Sequence, residues 1–331
     1  TVKAVTKGNG QCTVTGTLAD GRQSVSVTVR VGTIQIPIYV TANLHGQTAN
    51  GTISLADVAA LKASNPDAIL LDAGGSMQGS AAASLTGGMD MTSTFAAVDY
   101  DLQCFDGTDL AYGTERLLED SLTADGPSLA ANLRSAEGSP LFYRATSWSR
   151  NRITNGMNYV IQQAGKKIGF FALSSGGNYA HAADLIVNDL AQTASEQVAA
   201  LNAAGADAIL CIIGPDTDAA GIYQTLAGLG VWAVLDAHIS AEPASAGLTV
   251  LPVGTGLNSI ARLDVAFDGS GVQLLAPSAL SANEIKAMRA NYNEEQAAAY
   301  DAAAAAMQTL DAGDTTVAGQ TLFTLAENAK A

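Results

Sequence analysis

The chain has little of the chemistry that usually announces a function. It carries three cysteines and three histidines in 331 residues. Cys12, Cys104 and Cys211 make no C-x-x-C spacing and no even-numbered set, so neither a zinc knuckle nor a disulfide framework is written in them. Cys104 and Cys211 sit in apolar runs, "DLQCF" and "AILCII", and are expected in the core. Positive charge is scarce: 16 Lys and Arg stand against 31 Asp and Glu, a net charge of −15. A surface of that sign repels nucleic acid and anionic lipid, so neither is an expected partner. No apolar run approaches the roughly 18 residues of a membrane span, and no membrane insertion is expected. The chain opens on Thr1 rather than Met, from which an upstream segment is expected to have been removed or left out.

What is present is apolar and patterned. Residues 1–33 alternate, "TVKAVTKG", "GQCTVTGTLADG" and "RQSVSVTVRVG", and read as three strands joined by glycine turns. From 34 to 280 short apolar runs alternate with helical segments. "TIQIPIYV" precedes "SLADVAALKASN", which opens on a Ser54-x-x-Asp57 capping signal. "AILLD", "TSTFAAVD" and "LQCF" follow, then "ASEQVAALNAAG" before "ADAILCII" and "DAAGIYQTLAGLG" before "VWAVLD". Such runs predict buried strands in a layered α/β sandwich. Over 281–331, Ser281-x-x-Glu284 caps what reads as one long Ala-rich helix ending at Gly313, with an apolar stripe at Ile285, Met288 and Tyr292. The expected division is a β segment at 1–33, an α/β domain at 34–280 and a helical segment at 281–331.

Ligands of α/β sheets bind beyond the carboxyl ends of strands. The loops there hold Asn43 and His45, "DAGGSMQGS" (72–80), "DGTD" (106–109), "GPDTD" (214–218) and "DAHIS" (236–240). Together with "ASNPDAILLDAGGSMQGSAAASLTGG", "VDYDLQCFDGTDLAYG", "SLAANL", "GKKIGFFALSS", "AAGADAILCIIG" and "VLPVGTGLNSIARLDVAFDG", in this order and spacing, they carry a resemblance. Over about 34–312 the chain resembles the 5′-nucleotidase branch of the calcineurin-like metallophosphoesterases. The resemblance implies a metallophosphoesterase-like α/β sandwich and a two-metal hydrolytic centre. It also implies where ligands should stand, and most are missing. Asn43 replaces the first Asp, Gly75 the bridging Asp, Gly107 and Thr108 a metal-binding Asn and the catalytic His. Gly214 and Ser240 stand in place of two metal-binding His, and only His45 and His238 keep the implied ligand type.

The chemistry of that loss is severe. Two adjacent divalent cations repel, and a bridging carboxylate offsets the repulsion. Gly75 has nothing with which to bridge. Two imidazoles and an amide cannot fill two coordination shells, and Thr108 does not titrate near neutrality. No catalytic residue and no cofactor are expected. His45 and His238 read as polar strand ends, with a weak mononuclear Zn, Ni or Cu site as the alternative. Asp106, Asp109, Asp216 and Asp218 read as solvated turn carboxylates, with a remodelled Ca or Mg site as the alternative. His181 reads as a helix-start or surface residue. "GTGLNS" precedes a strand and lacks the Rossmann context, and "GGSMQG" lacks nucleophile-elbow spacing. Asn50-Gly51-Thr52 is a glycosylation sequon where the host allows it.

Residues 1–33 resemble the last strands of bacterial Ig-like repeats of the Big group, which implies an extracellular or cell-surface location. The expected function is a catalytically inactive 5′-nucleotidase-like protein with a structural or binding role there. Its expected partner is a protein, a second copy of itself included, as in an extracellular filament or lattice. Two alternatives stay open: a divergent metal-dependent phosphoesterase with a remodelled site, and a non-hydrolysing small-molecule binder. If only ligands were lost, restoring Asp, Asn and His at positions 43, 75, 107, 108, 214 and 240 should bring metal back.

Overall fold

The structure, a computed structural model, describes residues 10–17, 24–50, 52–145, 153–177, 184–241, 243, 247–254, 256–268 and 271–307. His181, Gly51 of the sequon, the first of the three expected strands and the end of the Ala-rich segment lie outside the described residues.

Two sheets stack with their apolar faces together. The larger runs in the order Gly271–Leu274, Ile260–Asp268, Ile34–Thr41, Ile69–Asp72, Leu102–Cys104, Ser128–Leu129, with Ser278–Leu280 also pairing on Ile260–Asp268. The smaller runs Asn158–Gln163, Lys166–Leu173, Ala208–Ile213, Ala233–Asp236, Thr249–Pro252. Pairing is parallel from Ile34–Thr41 to Ser128–Leu129 and from Lys166–Leu173 to Thr249–Pro252. Every residue of Ile69–Asp72, Ala208–Ile213 and Ala233–Asp236 is buried. Both faces of these strands are covered, which is why they read as unbroken apolar runs rather than as alternation.

Alternation within each strand sorts its residues between layers. Ile38, Val40, Leu71, Phe170, Leu210 and Leu235 meet between the sheets. Tyr39 and Leu70 point the other way, to helices Leu55–Ser64 and Met89–Val98. Phe171, Ile209 and Val234 pack against Val198 and Leu201 of helix Leu190–Ala203 and Leu226 of helix Tyr223–Gly228. The result is the expected layered α/β sandwich, helices outside and two sheets within. Both capping boxes are present, with Ser54 facing Asp57 and Ser281 facing Glu284.

The single C-terminal helix is a correction. Helix Ala282–Arg289 stops, the chain turns over 290–293, and a second helix runs over 294–307. The cause is a capping box read as helix interior. The Gln296 N–H donates to Asn293 Oδ1 at 2.9 Å and the Asn293 N–H donates to Gln296 Oε1 at 3.2 Å. The break folds Tyr300 beside Tyr292, ring centroids 6.1 Å apart, and lets Gln296 Nε2 donate to the Ser64 carbonyl. Ile285 and Tyr300 thereby close the outer face of the larger sheet.

Before the sandwich, Gly10–Thr17 pairs antiparallel with Ser24–Val31, from Gly10 opposite Val31 to Thr17 opposite Ser24. Among the described residues no helix is long and apolar enough to cross a membrane.

Deleting bulk between the sheets tests this layering. Leu210→Ala, at a site with no exposure, is expected to cost about 2–5 kcal/mol in urea unfolding. Leu85→Ala, at 39% exposure, is expected to stay within about 0.5 kcal/mol.

Candidate functional site

Five loops meet at the carboxyl ends of the parallel strands, stitched by hydrogen bonds. The N–H groups of Asn43, His45 and Gly46 donate to the carbonyls of Gly74, Gly75 and Ser76 at 2.8, 3.2 and 2.9 Å. Asn43 and His45 sit at φ 54° and 52°, a left-handed conformation that Asn and His adopt more readily than most residues. The Asn43 amide nitrogen reaches toward the Ala237 carbonyl at 3.4 Å. His238 Nδ1 lies 2.8 Å from the Pro215 carbonyl. His45, His238 and Ser240 are exposed; Asn43 is buried.

The centre of the site belongs to two carboxylates. Asp109 accepts four backbone N–H groups: Ser76 and Met77 on Oδ1 at 2.8 and 2.9 Å, Gly75 and Asp106 on Oδ2 at 2.8 and 2.9 Å. Asp106 accepts the Ser175 N–H and the Thr217 hydroxyl (3.0 Å) on Oδ1, and the Asp216 N–H on Oδ2 at 2.5 Å. Asp216 returns the link by accepting the Thr108 N–H at 2.6 Å. Asp106 and Asp109 are 0% and 2% exposed. The solvated-turn reading is therefore corrected for these two, and it fits the exposed Asp216 and Asp218. The missed signal was local: Asp106-x-x-Asp109 has capping-box spacing, and a 3-10 helix, Gly107–Tyr112, does start there.

These contacts occupy the side-chain space of three glycines singled out by the sequence. A Cβ on Gly214 would run into the Asp106 carboxyl, with Asp106 Cβ only 2.5 Å away. On Gly75, at φ +75°, it would lie 2.8 Å from both Asn43 Oδ1 and Pro215 Cγ. On Gly107 it would meet Asp216 Oδ2 at 2.7 Å, the softest of the three obstacles because Asp216 is exposed. A side chain restored at 75, 107 or 214 would meet atoms already there, and these neighbours would have to move to admit it. Thr108 contributes its N–H, while its hydroxyl is buried without a partner among the described residues.

The donor set does not fit a two-metal centre. Among the described residues no three His, Cys, Asp or Glu side chains converge as a metal shell. The Asp106 and Asp109 oxygens are already directed at N–H and O–H donors, and donors repel a cation.

Behind them Asp72 is buried, accepting from Thr41 Oγ1 at 2.6 Å, Ser76 Oγ at 2.9 Å and the Gly74 N–H at 3.0 Å. Burial pushes Asp72 up to about 8 and Asp106 up to about 7, against the pull of these donors, and raises Asp109 as well. Asp236 is likewise raised by burial, and it takes the Tyr223 hydroxyl at 2.5 Å and the His238 N–H at 2.8 Å.

Solved structures share this arrangement of layers. The calcineurin-like phosphoesterase YfkN of Bacillus subtilis superposes with a TM-score of 0.60 over 86% of this chain and 99% of its own, at 16% identity. The 5′-nucleotidase precursor of Thermus thermophilus gives 0.58 over 83% of this chain at 17% identity. The NAD nucleotidase of Haemophilus influenzae gives 0.60 over 87% at 12% identity. The fold is the metallophosphoesterase fold. This chain spans 59% and 61% of the length of those two nucleotidases. No protein-family model and no curated protein matches the sequence.

Two outcomes follow from the geometry. Gly214→Ala is expected to destabilise by about 2 kcal/mol or more, because the methyl group overlaps the buried Asp106, read as a lowered urea midpoint. The second concerns pH. Unfolded carboxyls lose their protons near pH 4, whereas folded Asp72 and Asp106 hold theirs to about 8 and 7. Across that window the folded state binds more protons, so stability is greatest at the acid end and falls as pH rises. The thermal midpoint is expected to drop between pH 5.5 and 8.5. Self-repulsion of the acidic chain acts in the same direction. Asp72→Asn is expected to remove only the Asp72 share of the drop and to leave the share of Asp106 and of self-repulsion in place.

Proposed function

We propose that this chain is a catalytically inactive protein of the metallophosphoesterase fold, serving as a structural or binding element at the bacterial cell surface. Its partner in this reading is a protein, and a second copy of the chain is one such partner. The observation that carries the inactive part is the filling of the ligand positions: the side-chain space at Gly75 and Gly214 holds Asn43, Pro215 and Asp106. The carboxyl groups at the centre support it too, because Asp106 and Asp109 are ringed by protein donors rather than turned toward an open cleft. The surface location is supported by the resemblance of residues 1–33 to secreted Ig-like repeats. The Thermus neighbour, described as a precursor, is in keeping with it.

Metal analysis and turnover on the purified native chain test the reading together. The expected result is no stoichiometric dinuclear metal and no hydrolysis of nucleoside monophosphates, dinucleotides or bis(p-nitrophenyl) phosphate with added Mn or Zn. Two equivalents of tightly held Mn, Zn or Fe, with turnover that a chelator abolishes, would sink it. The divergent phosphoesterase would then be the correct reading.

A further inference from the structure

The two buried carboxylates do more than fill space. Asp106 leaves the loop after Leu102–Cys104, in the larger sheet, and takes its donors from Ser175, Asp216 and Thr217, on loops that follow two strands of the smaller sheet. Asp109, three residues on, gathers three consecutive N–H groups, Gly75 to Met77, from the loop after Ile69–Asp72. Consecutive amides turned onto one anion form a concave nest. Gly74 and Gly75, at φ +104° and +75°, give the backbone the turn that aims them.

We propose that Asp106 and Asp109 are a carboxylate clamp that pins the strand-end loops of the two sheets together, and that the Gly75–Met77 nest is an anion-binding site whose resident ligand is the chain's own Asp109. In this arrangement Gly75 is required by the nest. An Asp there would oppose the turn and strike Asn43 and Pro215. This goes beyond the functional reading above and holds whether or not the protein hydrolyses anything. The class of ligand is a small monovalent carboxylate, because the nest offers three N–H donors to two oxygens and, among the described residues, no Lys or Arg side chain bonds to the Asp109 that fills it.

The experiment empties the nest and refills it. Asp109→Ala is expected to lower the thermal midpoint of the full chain by about 10 °C or more. Sodium formate at tens of millimolar should restore a large part of that loss in a saturable way, and sodium chloride at equal ionic strength should not. A folded Asp109→Ala on which formate and chloride act alike overturns the proposal, as does a variant as stable as the parent. Should that variant not fold, Asp109→Asn gives the reading, since it keeps one oxygen and loses the other. Hydrogen exchange should then speed up about tenfold or more at one pair of amides only, either Ser76 with Met77 or Gly75 with Asp106. Unchanged protection at all four, or equal loss at all four, overturns the clamp.

Discussion

The geometry of the cleft depends on one buried carboxyl group. Asp106 belongs to the larger sheet and finds its donors on loops of the smaller one. Apolar packing between the sheets, through residues such as Phe170, Leu210 and Leu263, fixes their separation but not how their loops meet. Hydrophobic contact is non-directional, whereas a carboxylate with two aimed oxygens is directional. Burying such a group without partners would cost several kcal/mol. The donors around Asp106 and Asp109 offset part of that penalty, and burial still raises the proton affinity of both.

The glycines are the other half of the same arrangement. A carboxylate can occupy the heart of the cleft only where neighbouring positions supply backbone and no side chain. Gly214 leaves room for the body of Asp106, and Gly75 leaves its N–H free to reach Asp109. Read one letter at a time, each glycine stands where the resemblance implies a metal ligand. Read with its contacts, each is the complement of an aspartate from another loop.

The layered fold was legible because it rests on patterns that act locally. Unbroken runs such as "AILCII" marked strands covered on both faces, and Ser54-x-x-Asp57 and Ser281-x-x-Glu284 marked helix starts that the structure contains. The C-terminal break was misread where two local signals conflict. Alanine composition favours continuing a helix, but Asn293 and Gln296 satisfy each other's backbone and restart it. The positions where Asp106 and Asp109 stand were legible, and their burial was not. Exposure of a turn carboxylate is decided by which loop lies over it, and no pattern near "DGTD" names Ser175 or Asp216. The route by which the Thr217 hydroxyl reaches Asp106, 111 residues away in sequence, is a property of topology alone.

Sterics and electrostatics act in the same direction at this cleft. A phosphate ester approaching the strand ends carries negative charge into a chain whose net charge is −15. It meets Asp216 and Asp218 at the rim and Asp106 and Asp109 within. In a two-metal site the cations reverse that field, and the carboxylates around them become an asset. The amides that could stabilise an incoming oxyanion already hold Asp109. Asp109 thus both occupies the nearest anion-binding amides and adds a negative charge beside them whenever it is ionised. Any anion that reaches those amides must first displace the Asp109 carboxyl group.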